Sequence, residues 1–299
     1  MFRKRAYGSL KKGVTYWNQW RSQNFITTID FSGANLSGVQ LMGIDFRGVN
    51  LRGANLIKIN LNNANLDGVD LSYANLTKAN LVGASLIGAN LTGASLIEAN
   101  YRNAELTGST LSLADLTESD LRVVNFSSAE LIGANLTQAN LSRANFSSAN
   151  LIRANLSQAN LSQANFRDAK LNSSNLTKAN LYRAIFSKAE LRDANLQKAD
   201  LEKTNFNQAD LTEANLSQAN LKLANLSQAN LSQVDFLDAN LSQVNLSTAD
   251  LSRADLSRAN LFKGDLSNAI LVETQALFTN FKQSVLTGAC LEKLNINQQ

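Results

Sequence analysis

The chain has no proline and no histidine, a single cysteine, and no long apolar run. Proline removes a backbone N–H and interrupts a hydrogen-bond ladder. At average usage of about 5%, roughly 15 would be expected, so their absence from 299 residues fits backbone pairing along most of the length. Without histidine, neither a Ser-His-Asp nor a Cys-His catalytic arrangement can be built. With one cysteine, Cys290, the usual zinc sets are excluded, and so is an intramolecular disulfide. There is no run of about 18 apolar residues to suggest a transmembrane helix, and no apolar signal-peptide core follows the basic N-terminus. A soluble cytoplasmic protein is the expectation.

What the chain does have is a period of five. From Phe31 to Leu271 every fifth residue is Leu, Phe or Tyr, 49 consecutive positions without a slip. Two residues before each stands a small residue, usually Ala, as at Ala34, Ala54, Ala64, Ala134 and Ala214. Between them is usually Asn or Asp, as in Ala134-Asn135-Leu136. Five matches neither the 3.6 of a helix nor the 2 of a strand, so the repeat demands a geometry of its own and sets the fold. A second period sits on the first. Phe126, Phe146, Phe166, Phe186 and Phe206 lie 20 apart, with Phe46 in the same phase. That suggests a winding of 20 residues, with rings stacked about one strand spacing, 4.8 Å, apart.

Glycine is unevenly placed. Twelve of the 15 glycines sit two residues after a central residue, and ten of those precede residue 110. Glycine suits the positive φ of a type II turn. Later the same position holds Gln158, Lys198 or Arg253, so a change of turn type near residue 110 is expected. The recurrent Asn and Asp are too frequent for calcium ligands, and a local side-chain to backbone bond in the turn explains them better.

The pattern A(N/D)LXX resembles the pentapeptide repeat family over about nine tenths of the chain, and is similar to its cyanobacterial members. The resemblance implies an all-β fold, a right-handed quadrilateral parallel β-helix with four pentapeptides to a coil of 20 residues. It places the central residue and the small residue inward and the other three outward. Twelve or so such coils make a rod of roughly 60 Å. Three segments follow: a basic aromatic N-terminal segment, 1–25; the regular repeat, 26–271; and less regular coils, 272–299.

Solenoid ends need covering. In residues 1–25, Tyr7, Leu10, Val14, Trp17 and Trp20 or Arg21 follow helical spacing, which reads as a helical cap. The segment also holds six basic residues and no acid, whereas the remaining 22 basic and 24 acidic residues leave residues 26–299 at −2. A basic docking element for a partner or an anionic membrane is therefore a second role for it. At the other end Ile270, Gln275, Val285 and Cys290 replace the usual Asn or Asp. Residues 286–297 look like the point where some cyanobacterial members leave the repeat and continue. An end-to-end homodimer and a piece of a longer protein are equal readings of this end.

Nothing in the sequence supplies enzyme chemistry. The carboxylates, such as Asp168, Asp193, Glu213 and Asp238, are expected on outer faces, and no phosphate-binding glycine motif occurs. No cofactor and no metal is expected. A column of Arg143, Gln163, Arg183, Lys203 and Lys263 makes a modest basic stripe. Another, Ile57, Thr77, Ile97, Thr117, Thr137, Ser157 and Thr177, is explained by strand propensity and is too narrow to argue for ice. The expected function is a non-enzymatic rigid scaffold for protein–protein interaction, regulatory as in some cyanobacterial relatives, with a protein partner not identified by the sequence. The alternatives are a DNA mimic inhibiting a type II topoisomerase, disfavoured by the near-neutral repeat, and membrane or nucleic-acid association through residues 1–25, with nucleic acid disfavoured. Candidate partner contacts are Arg3, Lys4, Arg5, Trp17, Trp20, Tyr182 and Phe262, with Leu223, Leu237 and Phe278 as further apolar anchors.

Overall fold

A computed structural model describes Ala6, residues 8–24 and residues 29–296. Arg3, Lys4, Arg5, Tyr7 and Phe25 lie outside the described residues. The chain forms two compact units, Met1–Asn145 and Phe146–Gln299.

In both units residue i pairs in parallel with residue i + 20. The first pairing joins two short strands, β1 (Ile29–Asp30) and β2 (Val49–Asn50). Single-residue bridges then repeat every five residues, from Asn35↔Asn55 to Asn125↔Asn145 in the first unit and from Asn150↔Lys170 to Gln275↔Asn295 in the second. A winding therefore takes 20 residues, and the non-canonical residues near the end do not interrupt it: Ile270 pairs with Cys290.

One pentad shows why the sequence needs its residue types. Asn195 N donates to Ser174 O of the preceding coil at 2.9 Å, while Leu196 N and Lys198 N donate to Asn215 O and Ser217 O of the next at 2.7 and 3.0 Å. Ala199 N closes the turn on Leu196 O at 3.0 Å. The fifth donor, Gln197 N, points where no coil reaches and is taken by Asn195 Oδ1 at 3.0 Å. All five N–H groups are thus bonded, as an ordered backbone requires. The same Oδ1 contact recurs at Thr137, Ser247 and Ser267, so the Asn or Asp is there for the turn. Asparagine side chains also bond from coil to coil, Asn240 to Asn220 and Asn220 to Asp200, both at 3.0 Å.

The expected change of turn near residue 110 is absent. Every non-glycine residue with positive φ stands two after a central position, from Lys58 (φ 56) through Gln158 (φ 58) to Lys293 (φ 55), beside Gly33 (φ 64) and Gly108 (φ 63). A non-glycine residue in this conformation costs about 1–2 kcal/mol. It is held there because the N–H of the same residue is bonded to the next coil. Glycine serves a further purpose at Gly93, where an added Cβ would meet the Tyr73 ring at 2.8 Å and displace it.

The core is the file of central residues with the small residues beside them. At these inward positions Leu, Phe and Ala from Phe31 to Ala276 are almost wholly buried. Phe146, Phe166, Phe186 and Phe206 stack with centroids 4.8, 4.6 and 4.9 Å apart, which is the strand spacing. Where Thr204 stands for Ala its hydroxyl donates to Leu201 O at 2.7 Å. Two buried hydroxyls have no hydrogen-bond partner, that of Ser174 at an Ala position and that of Tyr101 at a central one, and desolvation pushes the Tyr101 pKa far up.

Candidate functional site

Two regions carry the residues that the sequence singled out. The first is helix α1, Val14–Gln23. It starts after Gly13, whose φ of 97° breaks the run of helical residues before it. Trp17 is fully buried and touches Trp20, Phe31 and Phe46 at centroid distances of 5.4, 5.8 and 5.3 Å. Its indole N–H donates to Asp45 O at 2.7 Å, and Asp45 N donates to Asn18 Oδ1 at 2.9 Å. Those two backbone groups are the ones a preceding coil would bond. Arg21 Nη2 donates to Arg47 O at 2.6 Å, and Asn18 Nδ2 to Gly43 O at 2.9 Å. The helix thus replaces a strand with side chains. Trp17 does not serve as a partner contact, because its ring is buried against the first described coil. Trp20 is half-buried against it. Beside the cap, a hydrogen bond from Arg47 holds the Asp45 carboxyl below its usual range.

The second region is one side of the unit Phe146–Gln299, where Tyr182 and Phe262 stand in one column. Both rings are half-buried. Tyr182 carries the Arg183 guanidinium 5.2 Å and the Lys203 ammonium 5.4 Å from its centroid, and Phe262 carries Lys263 at 5.2 Å. The Tyr182 hydroxyl and then Glu202 raise the Lys203 pKa. The pentads of this side hold five cations, Arg183, Lys203, Lys222, Lys263 and Lys282, against Asp200 and Glu202, a net of +3 over residues 146–296. The side two pentads further on holds five cations against seven carboxylates, a net of −2. There three of the five cations are paired: Arg192 with Asp210 at 2.6 Å, and Arg253 and Lys293 with Glu273 at 2.9 and 3.0 Å. On the Tyr182 side, among the described residues, only Lys203 has such a partner, Glu202 at 3.3 Å. Leu223 lies in the middle, 41% exposed.

Sequence reasoning found Arg183, Lys203 and Lys263 as one column but missed Lys222 and Lys282 in the column beside it. Each coil presents two outward residues on a side, and both columns must be read together. It also missed Asn18, for which the sequence gives no signal. Of the other anchors, Phe278 is largely exposed and Leu237 half-buried, both on a different side. Among the described residues no helix is long and apolar enough to cross a membrane. A recess of about 380 Å³ lined by Ser232, Gln233, Ser252, Arg253, Val272 and Glu273 holds one carboxylate, already bonded to Arg253 and Lys293.

Comparison with known proteins agrees with the repeat. The family model described as pentapeptide repeats matches residues 28–48, 44–83, 84–122, 189–228 and 224–261, and a related pentapeptide repeat region model matches 119–196. No curated protein matches in sequence. Among solved structures, the chain is similar to HetL, a pentapeptide repeat protein involved in heterocyst differentiation regulation in the cyanobacterium Nostoc sp. strain PCC 7120. The two are 34% identical over 73% of this chain and 89% of HetL, with a TM-score of 0.34. It is also similar to Rfr23 from the cyanobacterium Cyanothece 51142, at 32% identity over 33% of this chain and 60% of that one, TM-score 0.25. Full-length QnrB1, a plasmid-mediated fluoroquinolone resistance protein, matches at 18% identity over 72% and 92%, TM-score 0.36. With matched segments running from residue 28 to 261, and every fifth side chain inside a 20-residue winding, the chain belongs to the pentapeptide repeat family.

Proposed function

We propose that this chain is a non-enzymatic scaffold for protein–protein interaction, built from right-handed, four-sided β-helical coils, and that its contact surface is the Tyr182 side. The observation that carries the reading is the separation of charge in the unit Phe146–Gln299. Cations and two aromatic rings collect on one side with few carboxylates, while on the side two pentads further on the cations are largely neutralised. Tyr and Arg are among the residues that concentrate binding energy, and lysines without ion-pair partners complement an acidic surface. The central Leu and the Ala that might have lined a cleft are inside the coil, and the outward residues are mostly Asn, Ser, Gln and charged groups, with Tyr182, Leu223 and Phe262 among the apolar ones. The family resemblance supports the same function, since HetL is described as involved in regulation. A protein partner in the cytoplasm fits this reading. The N-terminal segment serves the coil first, and an end-to-end homodimer over the last coil is a further assembly to be tested.

The experiment is affinity capture with the full chain as bait, beside a Lys222→Glu/Lys263→Glu variant checked for an unchanged melting curve. A stoichiometric protein retained by the native chain and lost by the variant supports both function and surface. A native chain that retains no protein in stoichiometric amount would sink the scaffold reading. Inhibition of gyrase supercoiling by the native chain would favour the topoisomerase reading instead, and none is expected.

A further inference from the structure

The spacing of the groups on the Tyr182 side says what kind of partner it fits. Successive coils here are about 4.8 Å apart, as the phenylalanine stack records. Tyr182, Leu223 and Phe262 come from alternate coils, so the apolar groups recur at about 9.6 Å, twice the strand spacing. Tyr182 and Phe262 are then about 19 Å apart with Leu223 between them. In an α-helix, residues seven apart lie on one face about 10.5 Å apart, and fourteen residues span about 21 Å. The mismatch is about 1 Å per repeat, which side-chain rotation absorbs. An extended strand does not fit. Its same-face residues recur at about 6.8 Å, and the residue nearest the midpoint of a 19 Å span points the other way.

Charge completes the match. Arg183 lies beside Tyr182, Lys203 on the coil between Tyr182 and Leu223, Lys222 beside Leu223, and Lys263 and Lys282 at and beyond Phe262. None of Arg183, Lys222, Lys263 and Lys282 has an ion-pair partner among the described residues. A helix lying along the coils would place groups flanking its apolar positions against these cations, and carboxylates there would be complementary. A nucleic acid suits the side less well: one of the five cations is arginine, and Asp200 and Glu202 would face its phosphates. A membrane suits it less well too, because the rings are half-buried and only Leu223 projects apolar surface.

We propose that the Tyr182 side of this chain binds an acidic amphipathic helix, with apolar residues every seventh position and Asp or Glu between them. The proposal rests on the scaffold reading and narrows it. Its test uses the full chain and a fluorescein-labelled synthetic peptide of about 21 residues, with Leu every seventh position among Glu, Gln and Ala. The control peptide has the same composition with Leu at alternate positions. Fluorescence anisotropy should give a Kd for the heptad peptide at least about ten-fold below that of the control, with a gain in peptide helicity on binding. Lys222→Glu/Lys263→Glu and, separately, Leu223→Asp should each weaken binding about ten-fold or more, while Lys188→Glu on another side leaves it unchanged. Equal binding of the two peptides, binding indifferent to the Lys222 and Lys263 changes, or tighter binding of a 20-nucleotide single-stranded DNA or of phosphatidylserine vesicles would overturn it. If the heptad peptide fails but a stoichiometric cellular protein is still retained, the scaffold reading stands and the helix does not.

Discussion

At the start of the described coils Trp17 is fully buried, and Phe31 and Phe46 with it. In the last coil the residues at the same inward position are not: Phe281 and Leu286 are half-buried, and Leu291 and Ile296 are 43% and 52% exposed. The repeat is the same in both places. The difference is that helix α1 stands over one of them and supplies hydrogen bonds as well as rings. Leucine at the central position is therefore not buried by its own pentad. It is buried by the coils above and below, which is why the stability of such a chain resides in neighbour contacts.

The sharpest way to break the contrast is Trp17→Ala. It removes the rings' contact and leaves Asp45 O without its donor, and should cost about 3–5 kcal/mol in chemical denaturation. A loss below 1 kcal/mol would mean that the cap is decorative. Asn18→Ala keeps the apolar contact but strips Asp45 N of its acceptor, so a smaller loss of about 1–3 kcal/mol is expected. The interior should respond in the opposite sense. Tyr101→Phe deletes a buried hydroxyl that has no partner and should stabilise by about 1 kcal/mol, with a higher midpoint and an unchanged m-value.

Two smaller effects refine the picture. The folded-state pKa of Asp45 lies below its unfolded value, chiefly through the Arg47 hydrogen bond. Its contribution is therefore present above about pH 4 and lost as pH falls through the lower folded value. Arg47 is mostly exposed, so the term should stay below about 1 kcal/mol. Asp45→Asn should accordingly lose stability at pH 7 and little at pH 2, by parallel melts. Smallest of all, Leu291→Ser in the last coil should cost under about 1 kcal/mol, because much of that side chain already meets water. A loss matching that of a fully buried central Leu would show that something covers this end in solution.

Much of the fold was legible because a five-residue period has few solutions, and Phe126 to Phe206 gave the winding length. The role of Asn and Asp was legible from their frequency alone. The glycines misled. Their clustering before residue 110 suggested a second turn type, whereas one backbone geometry serves Gly33 and Lys198 alike. Position in the winding sets that φ, and residue type only modulates its cost. Trp17 misled for a related reason: an aromatic near a terminus looks the same in sequence whether it awaits a partner or has found one within the chain. The basic side was half legible, since one column shows in a 20-residue alignment and its neighbour must be added from the geometry.

The claim beneath all of this is that a pentad with Asn or Asp before its central residue bonds three of its N–H groups to neighbouring coils, one within the turn and one to that Asn or Asp side chain at the surface. Residue-resolved amide hydrogen exchange tests it directly. The account predicts a five-residue period, with the N–H one after the central residue, such as Gln197 or Thr137, exchanging fastest and the central N–H among the slowest. Uniform protection, a different period, or fast exchange at the central leucines would contradict it.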